Sequence, residues 1–413
     1  MQARRKNMER MAEAVPDCDD QSLQHFISNS PWDDSALMGR IANDANALIG
    51  HDPDTCLIID ESGFKKSGKM SVGVARQWLG LLGKVDNGQV GVFSALNCRE
   101  KVTLTDTRLF LPESWTKSKK RMKQAGVPRS RYKHRKKAQL AIDMIKAAQQ
   151  QQSSHQWVGA DAFYGNDPWF LRQLDQMNET FMVDVHADQS IYLDNPEPYI
   201  PERRSNRGRK PSLLKSGLKP EQVSAWAKRQ SDDAWTTLAV RNTTQGMLNV
   251  DVLHARVWLW DGKEEQPHLW HLIVRREGDS KNTLKYSLSN APANTSVKRL
   301  AFMQGQRFFV ERSFEDAKSS CGMADYQVRG WIGWHHHMVM VMLAMLFMLK
   351  IKVQYNETCD LVSSNDICKL LYHFLPKRAI TTAEVLRQMK IRHRKRRNAI
   401  LHHQKHKLIN LTK

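Results

Sequence analysis

Acidic residues are scarce in this chain. Its 413 residues carry 43 Asp and Glu against 63 Lys and Arg, a formal net charge of +20 and a sequence pI near 9.7. An imbalance of that size is a statement about partners, and the natural partner is a polyanion. Cysteine is scarce as well: the six residues Cys18, Cys56, Cys98, Cys321, Cys359 and Cys368 form no Cys-x-x-Cys pair and no zinc-like Cys/His spacing. A disulfide framework and a zinc finger are thereby excluded. Cys56 falls inside an expected core strand, so reduced structural thiols and a cytoplasmic setting follow. Long apolar runs are missing too. Met338–Leu349, the longest at 12 residues, is too short to span a bilayer and reads as a buried helix, and no signal peptide opens the sequence. There is no internal repeat, and His335-His-His points its side chains in different directions on a helix, a poor arrangement for a metal.

What the few acids do is more informative. Asp60 closes the apolar run Cys56-Leu-Ile-Ile, and Asp161 closes Trp157-Val-Gly-Ala. A carboxylate just past a short β-type run stands at the carboxyl end of a strand, where open α/β sheets form their crevices. Glu311 lies in Arg307-Phe-Phe-Val-Glu311-Arg-Ser-Phe-Glu-Asp-Ala-Lys318. On a helix, Arg307, Glu311 and Lys318 fall within roughly a 40° sector. A solvated stripe of i,i+4 ion pairs is the plain reading of such a face, but Phe308, Phe309, Val310 and Phe314 crowd it with apolar bulk. Two strand-end aspartates and a helical glutamate suit a hard divalent cation, which takes oxygen ligands and leaves positions for water and phosphate. Glu61 points away from Asp60 if the strand continues, Asp316 falls on the far side of the helix, and Glu315 rivals Glu311.

The spacing Arg-x3-Glu-x6-Lys after two such aspartates resembles the DDE transposases of bacterial insertion sequences, whose signature is Tyr-x2-Arg-x3-Glu-x6-Lys. Asp60-Glu-Ser-Gly-Phe-Lys-Lys, Ser71-Val-Gly-Val-Ala-Arg-Gln, Gly83-Lys-Val-Asp-Asn, Leu111-Pro-Glu-Ser-Trp, Asp161-Ala-Phe-Tyr-Gly, Leu288-Ser-Asn-Ala-Pro and Tyr326-Gln-Val-Arg-Gly-Trp are similar to one branch of those enzymes. Gln304 stands where the signature has Tyr. The resemblance implies an α/β protein with an RNase H-like (retroviral-integrase-like) core interrupted by a β-rich insertion, with helical N- and C-terminal regions.

The chain order fits that division. Residues 1–50 read as a helical DNA-binding region, with helices over Arg4–Ala14 and from Ser30 to Gly50. Residues 51–188 form the first part of the core: strands Cys56–Asp60, Gln89–Asn97 and Val102–Leu111 after an Asp86-Asn-Gly turn, a crossover helix Lys136–Gln152, strand Trp157–Asp161, helix Pro168–Met177 and strand Thr180–Val185. Residues 189–291 read as a small antiparallel sheet inserted into the core, 292–355 as the catalytic helix and its successor, and 356–413 as a helical basic tail. Trp258, Trp260 and Trp270 are expected mainly in the insertion's core, with stacking on an extruded base as the functional alternative.

The resulting expectation is a transposase that cuts and joins insertion-sequence ends. Asp60, Asp161 and Glu311 would hold two Mg²⁺, or Mn²⁺, about 3.5–4 Å apart. Arg307 and Lys318 would neutralise phosphate charge. Lys65, Lys66, Arg329, Lys120, Arg121, Arg135, Lys136, Arg207 and Arg209 are the candidate DNA contacts, drawn largely from basic clusters. The expected partners are double-stranded DNA, as terminal inverted repeats and target, and a second copy of the chain on DNA, without a membrane. A structure-selective nuclease on the same fold and a non-catalytic DNA-binding relic are the alternatives.

Overall fold

The computed structural model describes residues 5–203, 210–243, 246–277, 283–355 and 362–411. Three helices come first: α1 (Met8–Ala14), α2 (Asp20–Ser28) and α3 (Asp34–Ile49). Each opens on a side-chain cap, Asn7, Asp19 and Asp33, whose oxygen accepts first-turn amide N–H groups that would otherwise be unpaired. The sequence pointed to the first and third of these helices and missed α2. Along α3, Met38, Ile41, Ala45 and Ile49 turn inward at helical spacing.

The sheet begins with β1 (Thr55–Lys65), β2 (Ala75–Leu79), β3 (Lys84–Cys98) and β4 (Lys101–Leu109). Asp60 does not close β1, as the apolar run suggested. The strand continues five residues further, because β3 pairs with it antiparallel all the way from Thr55 to Lys65. The expected turn at Asp86-Asn-Gly is likewise absent: β3 runs straight through it, held by β2 and by the Asn87 amide, which donates to the carbonyl oxygens of Lys66 (2.5 Å) and Gly68 (3.0 Å). Two-sided pairing outweighs a local turn preference here. The turn into β4 lies at Arg99, whose φ is 53°.

Two short helices, α4 (Glu113–Thr116) and α5 (Lys119–Gln124), lead to the crossover helix α6 (Lys137–Gln150). Then come β5 (Trp157–Ala160), α7 (Ala162–Gly165), α8 (Pro168–Gln176) and β6 (Phe181–Val185). β5 runs parallel to β1, and β6 parallel to β5. A two-stranded piece, β7 (Ser190–Ile191) with β8 (Glu221–Gln222), and α9 (Val223–Lys228) precede four long strands: β9 (Thr236–Thr243), β10 (Gly246–Leu259), β11 (His268–Glu277) and β12 (Leu284–Ser289).

These last four strands do not form a separate small sheet, which corrects the sequence expectation. β12 pairs antiparallel with β6, Tyr286–Ser289 against Met182–Val185, and the whole becomes one ten-stranded sheet in the order β2-β3-β1-β5-β6-β12-β11-β10-β9, with β4 also on β3. Without β12, the buried strand β6 would be an edge with unpaired N–H and C=O groups. The protein is therefore mixed α/β around a central mixed sheet.

Helices cover both faces. Leu57 and Ile59 face one core with α6 and α8, whereas Ile58 and Phe64 face the other with α3 and the C-terminal helices. That second face receives α10 (Val297–Gln306), α11 (Phe308–Ser320) and α12 (Trp331–Gln354). α12 extends well beyond the 12-residue run, since Trp331-Ile-Gly-Trp continues the apolar character, and among the described residues it is the one helix long and apolar enough to cross a bilayer. One side of it meets protein, where Trp334, Val339 and Met342 are fully enclosed, and Ile332 and Phe347 on the other side are exposed. The three histidines diverge, His335 to the Trp331 carbonyl, His336 to the carbonyls of Ile27 and Trp32, and His337 against the Tyr326 ring.

Two more helices, α13 (Ser364–Phe374) and α14 (Thr382–Leu411), complete the helical C-terminal region. Arg378 donates to the carbonyl oxygens of Ala12, Val15 and Cys18. Lys395 of α14 pairs with Glu9 and Asp20, and Arg392 with Glu13. Part of the basic tail is thus spent on the acids of α1 and α2.

Gly165 ends α7 so close to β6 that a Cβ would lie 1.9 Å from the Asp184 carbonyl oxygen. Gly165→Ala should therefore destabilise the protein by about 1–3 kcal/mol through overpacking, read as a lower urea midpoint; an unchanged midpoint would show that the contact relaxes freely.

Candidate active site

Parallel register builds the site. Ile59 of β1 lies beside Ala160 of β5, and Ala160 beside Val183 of β6. An aspartate follows each of these residues, Asp60 on β1, Asp161 directly after β5 and Asp184 on β6, so the three form a row across neighbouring strands. Beyond that row β1 and β5 part: β1 continues along β3, while Asp161 caps α7 by accepting the Phe163 amide at 3.1 Å. A crevice opens where they separate.

Above the row lies Arg307, the joint between α10 and α11, with φ −57° and ψ −29°. Its guanidinium reaches three acids at once. Nε donates to Asp184 Oδ2 at 2.8 Å, Nη2 to Glu311 Oε1 at 2.7 Å, and Nη1 lies 3.5 Å from Asp60 Oδ2. Asp161 adds a further electrostatic pull. Although burial works against its charge, Asp184 first and then Asp60, Glu311 and Asp161 hold Arg307 more firmly protonated than a free arginine.

The acids are short of positive charge. Burial first, and then the Asp161 carboxylate, push Asp60 up to about 7, with Arg307 opposing. Asp161 is raised too, by burial first and also by Glu61, against the pull of Arg307. Lys318, 5.8 Å above the Phe64 ring, sits within electrostatic reach of Asp60, and burial lowers its pKa. Farther along the same face of β1, Lys66 stacks 3.4 Å over Tyr326 and is pushed down to about 8 by burial.

The remaining acids fall elsewhere. Glu61 lies on the opposite face of β1, 2.6 Å from Lys137 Nζ, beside the enclosed Tyr164 hydroxyl, which has no hydrogen-bond partner among the described residues. Glu315 is exposed and pairs with Arg312 at 2.8 Å. Asp316 faces α13, accepting from Ser364 at 2.7 Å.

The candidate DNA contacts scatter. Lys120, Lys136 and Arg329 are exposed, and Lys65 pairs with Asp86 at 3.3 Å. Arg121 lies over the Trp115 ring and donates to the Lys69 carbonyl. Arg135 is held bidentate by Asp143, which leaves it a poor free cation. Arg207 and Arg209 lie outside the described residues. Trp270 is buried edge-on to Phe181, which rules out stacking on a base. Trp258 and Trp260 are half-buried, and Trp260 donates to the Glu264 carbonyl at 2.7 Å.

Asp184 went unnoticed in the sequence although Phe181-Met-Val-Asp184 repeats the pattern that marked Asp60 and Asp161. Among the described residues no three His, Cys, Asp or Glu side chains stand close enough to hold a metal as they are placed; Arg307 lies among Asp60, Asp184 and Glu311. The donor chemistry nonetheless fits a hard cation: carboxylate oxygens only, converging, and mutually repelling.

With this geometry in view, comparison with known proteins is decisive on family. Residues 1–247 match the family model described as DDE superfamily endonuclease, and the chain belongs to that superfamily. It is also 27% identical, over 79% of its length and 73% of the relative's, to a probable transposase for insertion sequence element IS701 from Microchaete diplosiphon.

Asp60 has a definite pH signature. An aspartate in the unfolded chain titrates near 3.9, so between about pH 4 and 7 the folded protein binds the extra proton and loses stability as pH rises. The loss is complete above that window and absent below it. In chelator, Asp60→Asn should accordingly melt several degrees above wild type at pH 7.5 but level with it at pH 4. A difference independent of pH would place Asp60 in an ordinary environment.

Proposed function

We propose that this endonuclease is a transposase that cleaves DNA at the ends of an insertion sequence and joins those ends to a target. The observation that carries the reading is the convergence of Asp60, Asp161 and Glu311 about the Arg307 guanidinium in the crevice between β1 and β5. The similarity to an insertion-sequence transposase supports it. So does the segment β4-β3-β1-β5-β6, antiparallel and then parallel, the order expected of an RNase H-like sheet, to which β9–β12 would be the β-rich insertion.

In this reading Asp60, Asp161 and Glu311 hold divalent cations, Mg²⁺ or Mn²⁺. When bound, such ions supply activation of a water or 3′-hydroxyl and stabilisation of the leaving oxygen. The chain's own residues bind and orient the substrate. Arg307 grips a phosphate with its planar fork once the acids no longer need it. Lys318 and Lys66, cations on the same face of β1 as Asp60, carry the backbone away from the cut. Exposed Lys120, Lys136 and Arg329 add affinity without sequence choice. The DNA would present terminal inverted repeats, two copies of the chain would act on it, and the setting would be the bacterial cytoplasm. Inverted repeats flanking the reading frame are a direct check.

Asp60→Ala, Asp161→Ala and Glu311→Ala should each abolish cleavage of an end-containing duplex while the protein stays folded and DNA-bound, and Glu315→Ala should cut nearly as wild type. The triad assignment is falsified if Glu315→Ala is dead and Glu311→Ala is active.

Joining of pre-cut ends to a target plasmid separates a transposase from a structure-selective nuclease, which would cut but never join. Lys318→Ala should lose joining, with Lys318→Arg recovering only part, because a fork replaces a compact charge; wild-type joining by Lys318→Ala would remove it from the site. Neutralising Lys119–Lys123 should flatten the slope of log affinity against log salt by about 0.9 per lost phosphate contact, measured by fluorescence anisotropy. An unchanged slope would leave that cluster as solubilising charge.

A further inference from the structure

Behind Arg307 runs a hydrogen-bonded chain that the triad does not use. Asp184 accepts Arg307 Nε on Oδ2 at 2.8 Å, and the Ser287 hydroxyl on Oδ1 at 2.6 Å. Ser287 Oγ in turn accepts the Gln304 amide at 2.7 Å. Ser287 and Gln304 are buried, and they arrive from different elements: Ser287 pairs with Asp184 across β12 and β6, and Gln304 sits one turn before Arg307 on α10. Gln304 occupies the place of the signature tyrosine, and here its side chain serves this chain.

The contacts of Arg307 are unequal. Those to Asp60 and Glu311 are replaceable: one is long at 3.5 Å, and the other goes to a carboxylate more than half exposed. The contact to Asp184, at 2.8 Å, goes to a carboxylate only 21% exposed, and both oxygens of that acid are fixed by donors. A guanidinium has five N–H donors in a rigid fork, so anchoring Nε leaves the Nη edge free to change partners.

We propose that Asp184, braced by Ser287 and Gln304, is a dock for Arg307 that holds the guanidinium by Nε while its outer edge is exchanged from Asp60 and Glu311 to a DNA phosphate. The proposal rests on the reading of Asp60, Asp161 and Glu311 as cation ligands. Its consequence is that Asp184 governs cation binding without being a ligand. Deprived of its dock, Arg307 falls back on Asp60 and Glu311 and competes with the incoming ion. Asp184, Ser287 and Gln304 are accordingly positioning residues.

The test uses the full chain without DNA and follows melting temperature against MgCl₂ or MnCl₂. Wild type should be stabilised by the cation. Asp184→Asn should need roughly three- to tenfold more cation for the half-maximal rise, and the uncharged variants Ser287→Ala and Gln304→Leu about twofold more, below the roughly 10–100-fold typical of groups that bond a metal ligand directly because here the effect passes through Arg307. In an Arg307→Gln background these increments should shrink to a small residue for Asp184→Asn and vanish for the other two. A purely structural role would lower melting equally at every cation concentration and ignore the Arg307 background. Unmoved half-maximal concentrations, or shifts undiminished by Arg307→Gln, would overturn the dock while sparing the triad. Absence of any cation effect on wild type would instead overturn the triad reading and the dock with it. If Asp184→Asn does not fold, Ser287→Ala and Gln304→Leu decide the question alone.

Discussion

Carboxylates that repel one another at the end of a parallel strand pair are the constraint on which this structure turns. Asp60, Asp161 and Asp184 share one row of the sheet, Asp60 buried and the other two half-buried, and Glu311 approaches from above. In such a setting at least one carboxyl must take a proton or all must find cations. The fold does both: Asp60 is pushed up to about 7, and Arg307 is clamped among the acids. The joint between α10 and α11 falls at the residue that must reach all of them, which ties helix placement to the charge balance of the sheet.

The sheet sets how far this balance extends. Because β12 seals β6, Ser287 is placed within reach of Asp184, and the strands β9–β11 belong to the same plate as the acidic row. A separate inserted sheet would have left Asp184 with one donor fewer and β6 with an open edge. Lys318 of α11 and Lys66, just past the end of β1, lie on the side of the sheet that also carries Asp60, so one surface holds both the acidic row and two buried cations. α12 closes that side of the core, its inward side chains Trp334, Val339 and Met342 enclosed by protein while Ile332 and Phe347 stay exposed.

Much of this was legible in the sequence. Asp60, Asp161, Arg307, Glu311 and Lys318 stood out because short apolar runs ended in acids and because helical spacing put the last three on one face. The structure brings these five into one neighbourhood. What stayed hidden depends on pairing between distant segments. Asp86-Asn-Gly has the chemistry of a tight turn, yet strands on both sides hold it extended. Asp60 reads as a strand end, but β3 carries β1 onward. Trp270, expected mainly in a core with base stacking as the alternative, lies buried edge-on to Phe181. Asp184 carries the same signal as its two neighbours, an acid closing the short apolar run Phe181-Met-Val.

The hydrogen bonds that complete the site span long stretches of chain, 247 residues from Arg307 to Asp60 and 103 from Ser287 to Asp184. Closing such loops is slow, since their entropy is lost before any contact compensates. During synthesis the first two aspartates emerge long before their counter-ion and the helical glutamate. A ribosome-bound chain shorter than about three quarters of this sequence therefore holds the strand aspartates without Arg307 and Glu311, and the acidic row has no counter-ion from α10 and α11 until those helices have been made and folded.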